Sequence, residues 1–385
     1  MSGHPGGVPM PHGHHHMAGG PGGGAVPRLI FWELTQGCNL ACKHCRAEAQ
    51  PERAPDELTT VECLRIIDDI TANYKPVIIM TGGEPLYRPD LFELAEYASK
   101  KGARVCLASN GVLITDEIAR KLKEIGIQRV AISLDGATPE VHDAFRGIPG
   151  SWEGALRGAD CVMKAGIEVQ FNITVAQHNK QQIPAIVRLA EERGAAACHL
   201  FVLVPVGCGV QIAGREMLPA DEVEAMLEWL YEVSERTSIE VRSTCAPQYH
   251  RIMRQQGGAG AVARARASAQ ASLGEGKGHH MPGNRAAGSK GCLAGSGVCF
   301  ISHTGNVQPC GYLPLPAGSL RNQPFKEVWE GSQLFADLRD PDLLGGKCGE
   351  CEYRVSCGGC RARAYYEHHH YLAEEPYCSY EPQTK

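Results

Sequence analysis

The sequence predicts an α/β fold class, a partial (β/α)6 barrel with a small cysteine-rich domain behind it, on three observations. Short apolar runs alternate with amphipathic stretches six times between Leu29 and about Glu235, which implies a parallel sheet with helical crossovers. Gly102, Gly126, Gly166 and Gly194 stand just past the helix-like stretches, where helix ends favour left-handed residues. Eight of the seventeen cysteines fall in residues 292–385, among few periodic apolar runs. So little apolar surface cannot hold a domain alone, and metal is expected to do it.

Candidate strands are Leu29–Thr35, Pro76–Thr81, Arg104–Ser109, Arg129–Leu134, Val169–Val175 and His199–Val204. Helices are expected near 59–73, 91–101, 115–125, 151–165, 180–193 and 219–235, the first capped by Thr59 or Thr60. In such a TIM-type arrangement, chemistry belongs at the C-terminal ends of the strands. Residues 1–28 carry nine glycines, five prolines and five histidines and are expected to be a disordered tail. The barrel is expected over 29–240, with a connecting segment and linker over 241–291. Within 255–291 there are nine glycines and five basic residues against one acidic. The cysteine-rich domain is expected over 292–385.

The chain of 385 residues has 38 Lys+Arg against 43 Asp+Glu, a net charge of −5. That balance speaks against nucleic acid as a partner. No apolar run approaches the ~18–20 residues of a membrane span, and no secretory signal opens the chain. A cytoplasmic, reducing location is expected, in which clustered thiols are metal ligands or catalytic groups rather than crosslinks.

Just after the first strand comes Gly37-Cys38-Asn39-Leu40-Ala41-Cys42-Lys43-His44-Cys45. Three thiolates on one short loop can hold three irons of a four-iron cluster and leave the fourth open. Open metal positions belong to catalytic sites. The alternative is zinc completed by a distant ligand such as His44. Gly82-Gly83-Glu84-Pro85 closes the second strand; glycines let backbone approach a ligand, and Glu84 can accept from a cationic amino group. Ser109-Asn110-Gly111 and Ser133-Leu134-Asp135-Gly136 follow the third and fourth strands, and Asn172 and Thr174 lie in the fifth. These small polar residues suit ribose and carboxylate hydrogen bonds, or ordinary turns.

In these motifs the chain resembles the radical S-adenosylmethionine superfamily. The resemblance implies a 4Fe–4S cluster on Cys38, Cys42 and Cys45, whose fourth iron takes exchangeable S-adenosylmethionine, cleaved on reduction to a 5′-deoxyadenosyl radical. It implies that Gly82, Gly83, Glu84 and Pro85 meet the methionine amino group, with Ser109, Asn110, Ser133, Asp135 and Asn172 as further cofactor contacts. His44 stands where many members carry an aromatic residue.

Towards the C-terminus, Cys348-x2-Cys351-x5-Cys357 and Cys378 form one pattern; Cys292, Cys299, Cys310 and Cys360 form another. Both resemble the SPASM-type extension, which implies at least one auxiliary 4Fe–4S cluster, on the first set. The second set departs from the family spacing at Cys357-Gly358-Gly359-Cys360, and zinc knuckles are the alternative metal for both. Cys63, Cys106, Cys161, Cys198, Cys208 and Cys245 are expected to pack as small apolar groups.

Ser133–Gly154, Thr244–Arg254, Gly291–Tyr312 and Cys357–Cys378 are similar to the haem-biosynthesis branch, in particular the iron-coproporphyrin III decarboxylases. This implies oxidative decarboxylation of propionates to vinyl groups, with flavodoxin or ferredoxin as electron donor. Arg146, Arg215, Arg361 and Arg363 are candidates for gripping propionates, and Tyr249, His250 and His303 for an axial iron ligand. Rival readings are the sister branch of haem d1 biosynthesis, a peptide-modifying radical enzyme, and a plain iron–sulfur electron carrier.

Overall fold

Residues 25–256 and 290–383 are described by a computed structural model. Almost all of the Gly/His-rich segment 1–28, and most of the linker, lie outside the described residues. Seven parallel strands follow one another in chain order: β1 (Leu29–Glu33), β2 (Val77–Thr81), β3 (Arg104–Ser109), β4 (Arg129–Ser133), β5 (Glu168–Val175), β6 (Ala197–Val202) and β7 (Glu240–Thr244). Between them run helices α1 (Thr60–Asn73), α2 (Leu91–Lys100), α3 (Asp116–Glu124), α4 (Pro139–Arg146), α5 (Ser151–Lys164), α6 (Ile183–Glu192), α7 (Gly209–Glu216) and α8 (Ala220–Ser234). The six predicted strands and six predicted helices are all present, with ends shifted by a few residues.

β7 is an addition. Its sequence, Glu-Val-Arg-Ser-Thr, has no apolar run to announce it. It forms because β6 offers an open edge, and residues Ala197–Phe201 pair with Glu240–Thr244 in parallel register. α9 (Gln248–Gln255) follows. The cysteine-rich region then joins the same sheet: β8 (Val298–Ile301) pairs in parallel with the outer edge of β1. β9 (Asn306–Gln308) and β10 (Gly318–Ser319) extend the sheet antiparallel beyond it. The strand order β10-β9-β8-β1-β2-β3-β4-β5-β6-β7 leaves β7 and β10 as free ends, so the barrel is partial. Helices α10 (Phe325–Gly331), α11 (Gln333–Arg339), α12 (Gly346–Glu350) and α13 (Arg361–His368) complete the chain.

Strand alternation divides the sheet into two chemistries, because successive side chains point to opposite faces. Ile30, Trp32, Ile78, Met80, Val105, Leu107, Val130, Ile132, Val169, Phe171, Leu200 and Val202 are buried in one apolar layer with Ile66, Ile67, Ile70 and Leu94 of the helices. Each fully buried aliphatic or aromatic side chain there contributes about 1.5–3 kcal/mol. The opposite face carries Phe31, Glu33, Thr81, Ser133, Asn172, Thr174, Phe201 and Arg242, all outside that layer. Polar groups thus collect on the face that α1–α8 do not cover. At the head of α1, Thr59 and Glu62 form a reciprocal capping box, worth about 1 kcal/mol.

Candidate functional site

The loop after β1 is strapped in place by backbone bonds. Ala41 N and Lys43 N donate to the carbonyls of Arg146 and Phe145 at the end of α4, 3.2 and 2.9 Å away, and Cys38 N donates to Gln50 O at 2.8 Å. α4 ends there because Gly147 takes a left-handed φ of 79°, and a Cβ on it would meet Ala41 O at 2.3 Å. The three cysteines face donors. Leu40 N lies 3.4 Å from Cys38 Sγ, Ala49 N 3.4 Å from Cys45 Sγ, and Arg146 Nη1 3.7 Å from Cys42 Sγ. Asn110 Nδ2 lies 3.8 Å from Cys38 Sγ. Burial pushes the Cys38 thiol up to about 12, and burial raises Cys42 as well, against the pull of Arg146. Donors aimed at sulfur favour thiolates, yet three thiolates in mutual reach need a cationic centre to hold them. That donor set fits an iron–sulfur cluster held at three points.

The Gly82–Pro85 segment lies directly on this loop. Gly83 N donates to Thr35 O at 2.7 Å and Glu84 N to Gly37 O at 2.8 Å. A Cβ on Gly83 would stand 2.5 Å from Gly37 O, and one on Gly82 would stand 2.6 Å from Thr35 O. Only glycine permits the approach. Glu84 is fully buried, and its carboxylate accepts from Ser109 Oγ, Asn110 N and Leu86 N at 2.8, 2.8 and 3.3 Å. No cationic side chain among the described residues pairs with it, and burial pushes its carboxyl up to about 7. A buried carboxylate of this kind fits an incoming ammonium group.

Behind the loop lies a polar cluster that the sequence did not assemble. Asp135, fully buried, pairs with Arg146 Nη2 at 2.7 Å and accepts from Thr174 N at 2.7 Å. His44 Nε2 lies 3.4 Å from the same carboxylate. The His44 ring stacks on Phe145 at 4.0 Å, and Phe145 in turn contacts His178 at 3.9 Å. Burial, with the Arg146 charge, holds His44 well below the usual imidazole range, so the ring is neutral. Asp135 thus holds Arg146 in place beside Cys42. Asn172 faces the same polar surface, accepting from Gln170 Nε2 at 2.7 Å. Ser133 ends β4 beside it in register.

Cys348, Cys351, Cys357 and Cys378 line one hollow with Gln248, Arg251, Tyr353 and Tyr380. Every one of these thiols receives a backbone donor. Glu375 N is 3.3 Å from Cys348 Sγ, Tyr353 N 3.4 Å from Cys351 Sγ and Gly359 N 3.5 Å from Cys357 Sγ; Tyr380 N donates to Cys378. Four inward thiols with one donor each fit a closed cluster.

The second set is composed differently from the sequence expectation. Cys299 is fully buried in β8 opposite Ile30, within the apolar layer. Cys292, Cys310 and Cys360 instead gather with Cys245, each within electrostatic reach of the others. Cys245 takes a left-handed φ of 59° immediately past β7. Such strain in a non-glycine residue costs about 1–3 kcal/mol and collects at ligand sites. Cys299 thus packs in the main core, while Cys245 packs with Cys310 and Cys360 in a small second cluster.

Several substrate candidates are also relocated. Arg361, buried, donates to Gly359 O, Tyr371 O and Ala373 O, and Arg363 is fully buried against Glu375. Both guanidiniums are turned to groups of the protein itself. Tyr249 packs in the apolar core, and burial pushes His250 down to about 4. Arg215 is exposed and pairs with its neighbour Glu216. His303 Nδ1 lies 2.6 Å from Glu33, which also takes Arg46 at 2.7 Å; Arg46 sits 4.4 Å over the Phe300 ring. Glu33 and Arg46 were missed, although charge at a strand end and beside a ligand cysteine was a usable signal.

A partial parallel barrel with an open three-thiol loop at a strand's C-terminal end defines the class: enzymes that bind a cluster and a cofactor there. The model of the radical SAM superfamily matches residues 32–190, and that of the SPASM iron–sulfur cluster-binding domain matches 292–360. The AdoMet-dependent heme synthase of Methanosarcina barkeri is 48% identical over 94% of this chain and 98% of its own. That of Oleidesulfovibrio alaskensis is 44% identical over 97% of each. A mycofactocin maturase of Mycobacterium tuberculosis is 33% identical over 89% of this chain and 80% of its own. Streptococcus suis SuiB bound to S-adenosylmethionine has the same fold, with TM-score 0.67 and 14% identity over 94% of this chain and 77% of that one. Native anSMEcpe with bound AdoMet gives 0.65 and 17% over 91% and 94%. The chain belongs to the radical S-adenosylmethionine superfamily, with a SPASM-type C-terminal extension. It is a radical SAM enzyme that uses 4Fe–4S clusters and S-adenosylmethionine, and no helix among the described residues is long and apolar enough to cross a membrane.

Proposed function

We propose that the protein is a haem synthase, which converts two propionates of iron-coproporphyrin III to vinyl groups. The observation that carries this reading is the 48% identity to a heme synthase along nearly the whole of both chains, against 33% to the mycofactocin maturase. Each propionate gives up one hydrogen atom from its β-carbon, then CO2 and one electron, and a vinyl group remains. When bound, the cluster and S-adenosylmethionine supply the hydrogen acceptor. Glu84 orients the methionine ammonium, and Arg146, held by Asp135, places positive charge beside Cys42. Glu33, Arg46 and His303 form a charged wall on the polar face of the sheet, suited to a carboxylate-bearing substrate. The electron that leaves with each CO2 needs an acceptor.

Two closed four-cysteine sites supply candidates for that acceptor: Cys245, Cys292, Cys310 and Cys360, and Cys348, Cys351, Cys357 and Cys378. Cys292 N donates to Cys357 O at 3.1 Å, so the two sets share a backbone link. An electron can pass between them and out to a soluble carrier such as ferredoxin or flavodoxin. Anaerobic turnover of the reconstituted full chain with iron-coproporphyrin III, S-adenosylmethionine and dithionite tests the function. Haem b, formed with two 5′-deoxyadenosines per porphyrin, is the expected product. Cofactor cleavage with an unchanged porphyrin would instead point to a peptide substrate.

A further inference from the structure

Arg363 stands out among the buried charges because it has more hydrogen-bonding capacity than its partner uses. It lies in the first turn of α13, whose N-cap is Cys360. Its Nε is 2.9 Å from Glu375 Oε1 and its Nη2 is 3.2 Å from Oε2, with both side chains fully buried. Nη1, equally buried, has no hydrogen-bond partner among the described residues. Burying a guanidinium with a donor unmet is costly unless something anionic lies beside it. Besides Glu375, the groups beside Arg363 are the thiols of Cys360, the cap of its own helix, and of Cys245, which packs with Cys360. The Arg363 backbone N–H also donates to the Cys360 sulfur.

Glu375 is itself fixed from several sides. Its carboxylate accepts from Cys360 N at 2.6 Å and Tyr377 N at 3.2 Å, and its own N–H points at Cys348 Sγ of the other set. The clamp leaves the guanidinium one orientation. Reduction potentials of iron–sulfur clusters respond to net charge, to hydrogen bonds on the sulfurs and to burial. A fixed cation with a spare N–H beside a buried four-thiolate centre stabilises the form that carries one more electron.

We propose that Arg363, clamped by Glu375, is a positioning residue that raises the reduction potential of the cluster held by Cys245, Cys292, Cys310 and Cys360. The proposal rests on the reading of those four cysteines as a cluster site. Its consequence is that this cluster is the readier acceptor for the electron released with CO2: one electron leaves the substrate and one enters the cluster.

The test is a potentiometric titration of the anaerobically reconstituted full chain, followed by electron paramagnetic resonance. The signal of this site is the one lost in a C245A/C360A double variant. If that variant loses no signal, the site reading falls and the proposal with it. If the signal is lost, the potentials of single variants decide. Arg363→Gln is expected to shift the midpoint of this signal downward and leave the other two in place, with Arg363→Lys shifting it less. Glu375→Gln removes a negative charge and is expected to shift it upward. Opposite signs from two partners of one ion pair exclude a merely structural role, which would move both variants the same way. Should Arg363→Gln fail to fold, Arg363→Lys and Glu375→Gln still carry the contrast. Unchanged midpoints, or equal shifts in all three signals, would overturn the proposal.

Discussion

Glu84 shows how much chemistry one side chain's surroundings can store. Its carboxyl is raised by burial to about 7, and no cation among the described residues offsets it. A carboxyl raised above its unfolded value of 4.5 leaves the fold at full stability below that pH. Stability then falls as pH climbs from 4.5 to about 7 and levels off above. The shift corresponds to about 3 kcal/mol in the ligand-free protein. Glu84→Gln is therefore expected to raise the melting temperature of the cofactor-free protein at pH 8 and hardly change it at pH 5. The same variant should lose the stabilisation that S-adenosylmethionine gives the reconstituted wild type. Thermal melts at both pH values check this, and a lower melting temperature for the variant at pH 8 contradicts it. At this scale the sequence was most legible where ligands share a loop. Cys38, Cys42 and Cys45 needed no tertiary knowledge, whereas Cys245 and Cys292 meet only through folding. Cys299 sits in Val-Cys-Phe-Ile, and that apolar strand was the available sign that it would face the core. Arg361 and Arg363 looked like substrate ligands because sequence shows charge and hides its partner.

Among the elements, the strand–helix units were legible because each carries its own periodicity and stop signal. β7 was not, since its pairing with β6 substitutes for an apolar pattern. α4 was also unannounced, yet its C-terminal carbonyls hold the cysteine loop. Gly83→Ala would drive a methyl group into the backbone oxygens of Gln36 and Gly37, 2.6 and 2.5 Å away. Backbone cannot rotate aside, so a loss of about 1–3 kcal/mol is expected. The displaced loop should weaken S-adenosylmethionine binding at least tenfold while the auxiliary clusters remain. Calorimetric titration together with iron analysis checks the outcome. Wild-type affinity would contradict the close-packing account.

For the molecule as a whole, one sheet carries both halves of the chemistry. β1 leads into the catalytic loop on one side and pairs with β8 of the cysteine-rich region on the other. Arg46, the residue after Cys45, crosses that junction to lie over Phe300. Gly311, after Cys310, passes so close that a Cβ would meet the Arg46 side chain at 3.2 Å. The open three-thiol loop and the Cys245-containing set are thus neighbours through a single side chain. Motif spacing already grouped eleven of the seventeen cysteines into three sets; the folded arrangement puts Cys245 where the spacing put Cys299. This division into one open and two closed centres is an expectation of the proposed function. Iron and sulfide analysis of the reconstituted chain tests it most directly: about twelve irons per chain are expected, four for each cysteine-held cluster. C245A/C360A is expected to drop the count to about eight with the signals of the Cys38 loop and of the Cys348-containing set intact. A wild-type count of about eight, unchanged in that double variant, would contradict the account.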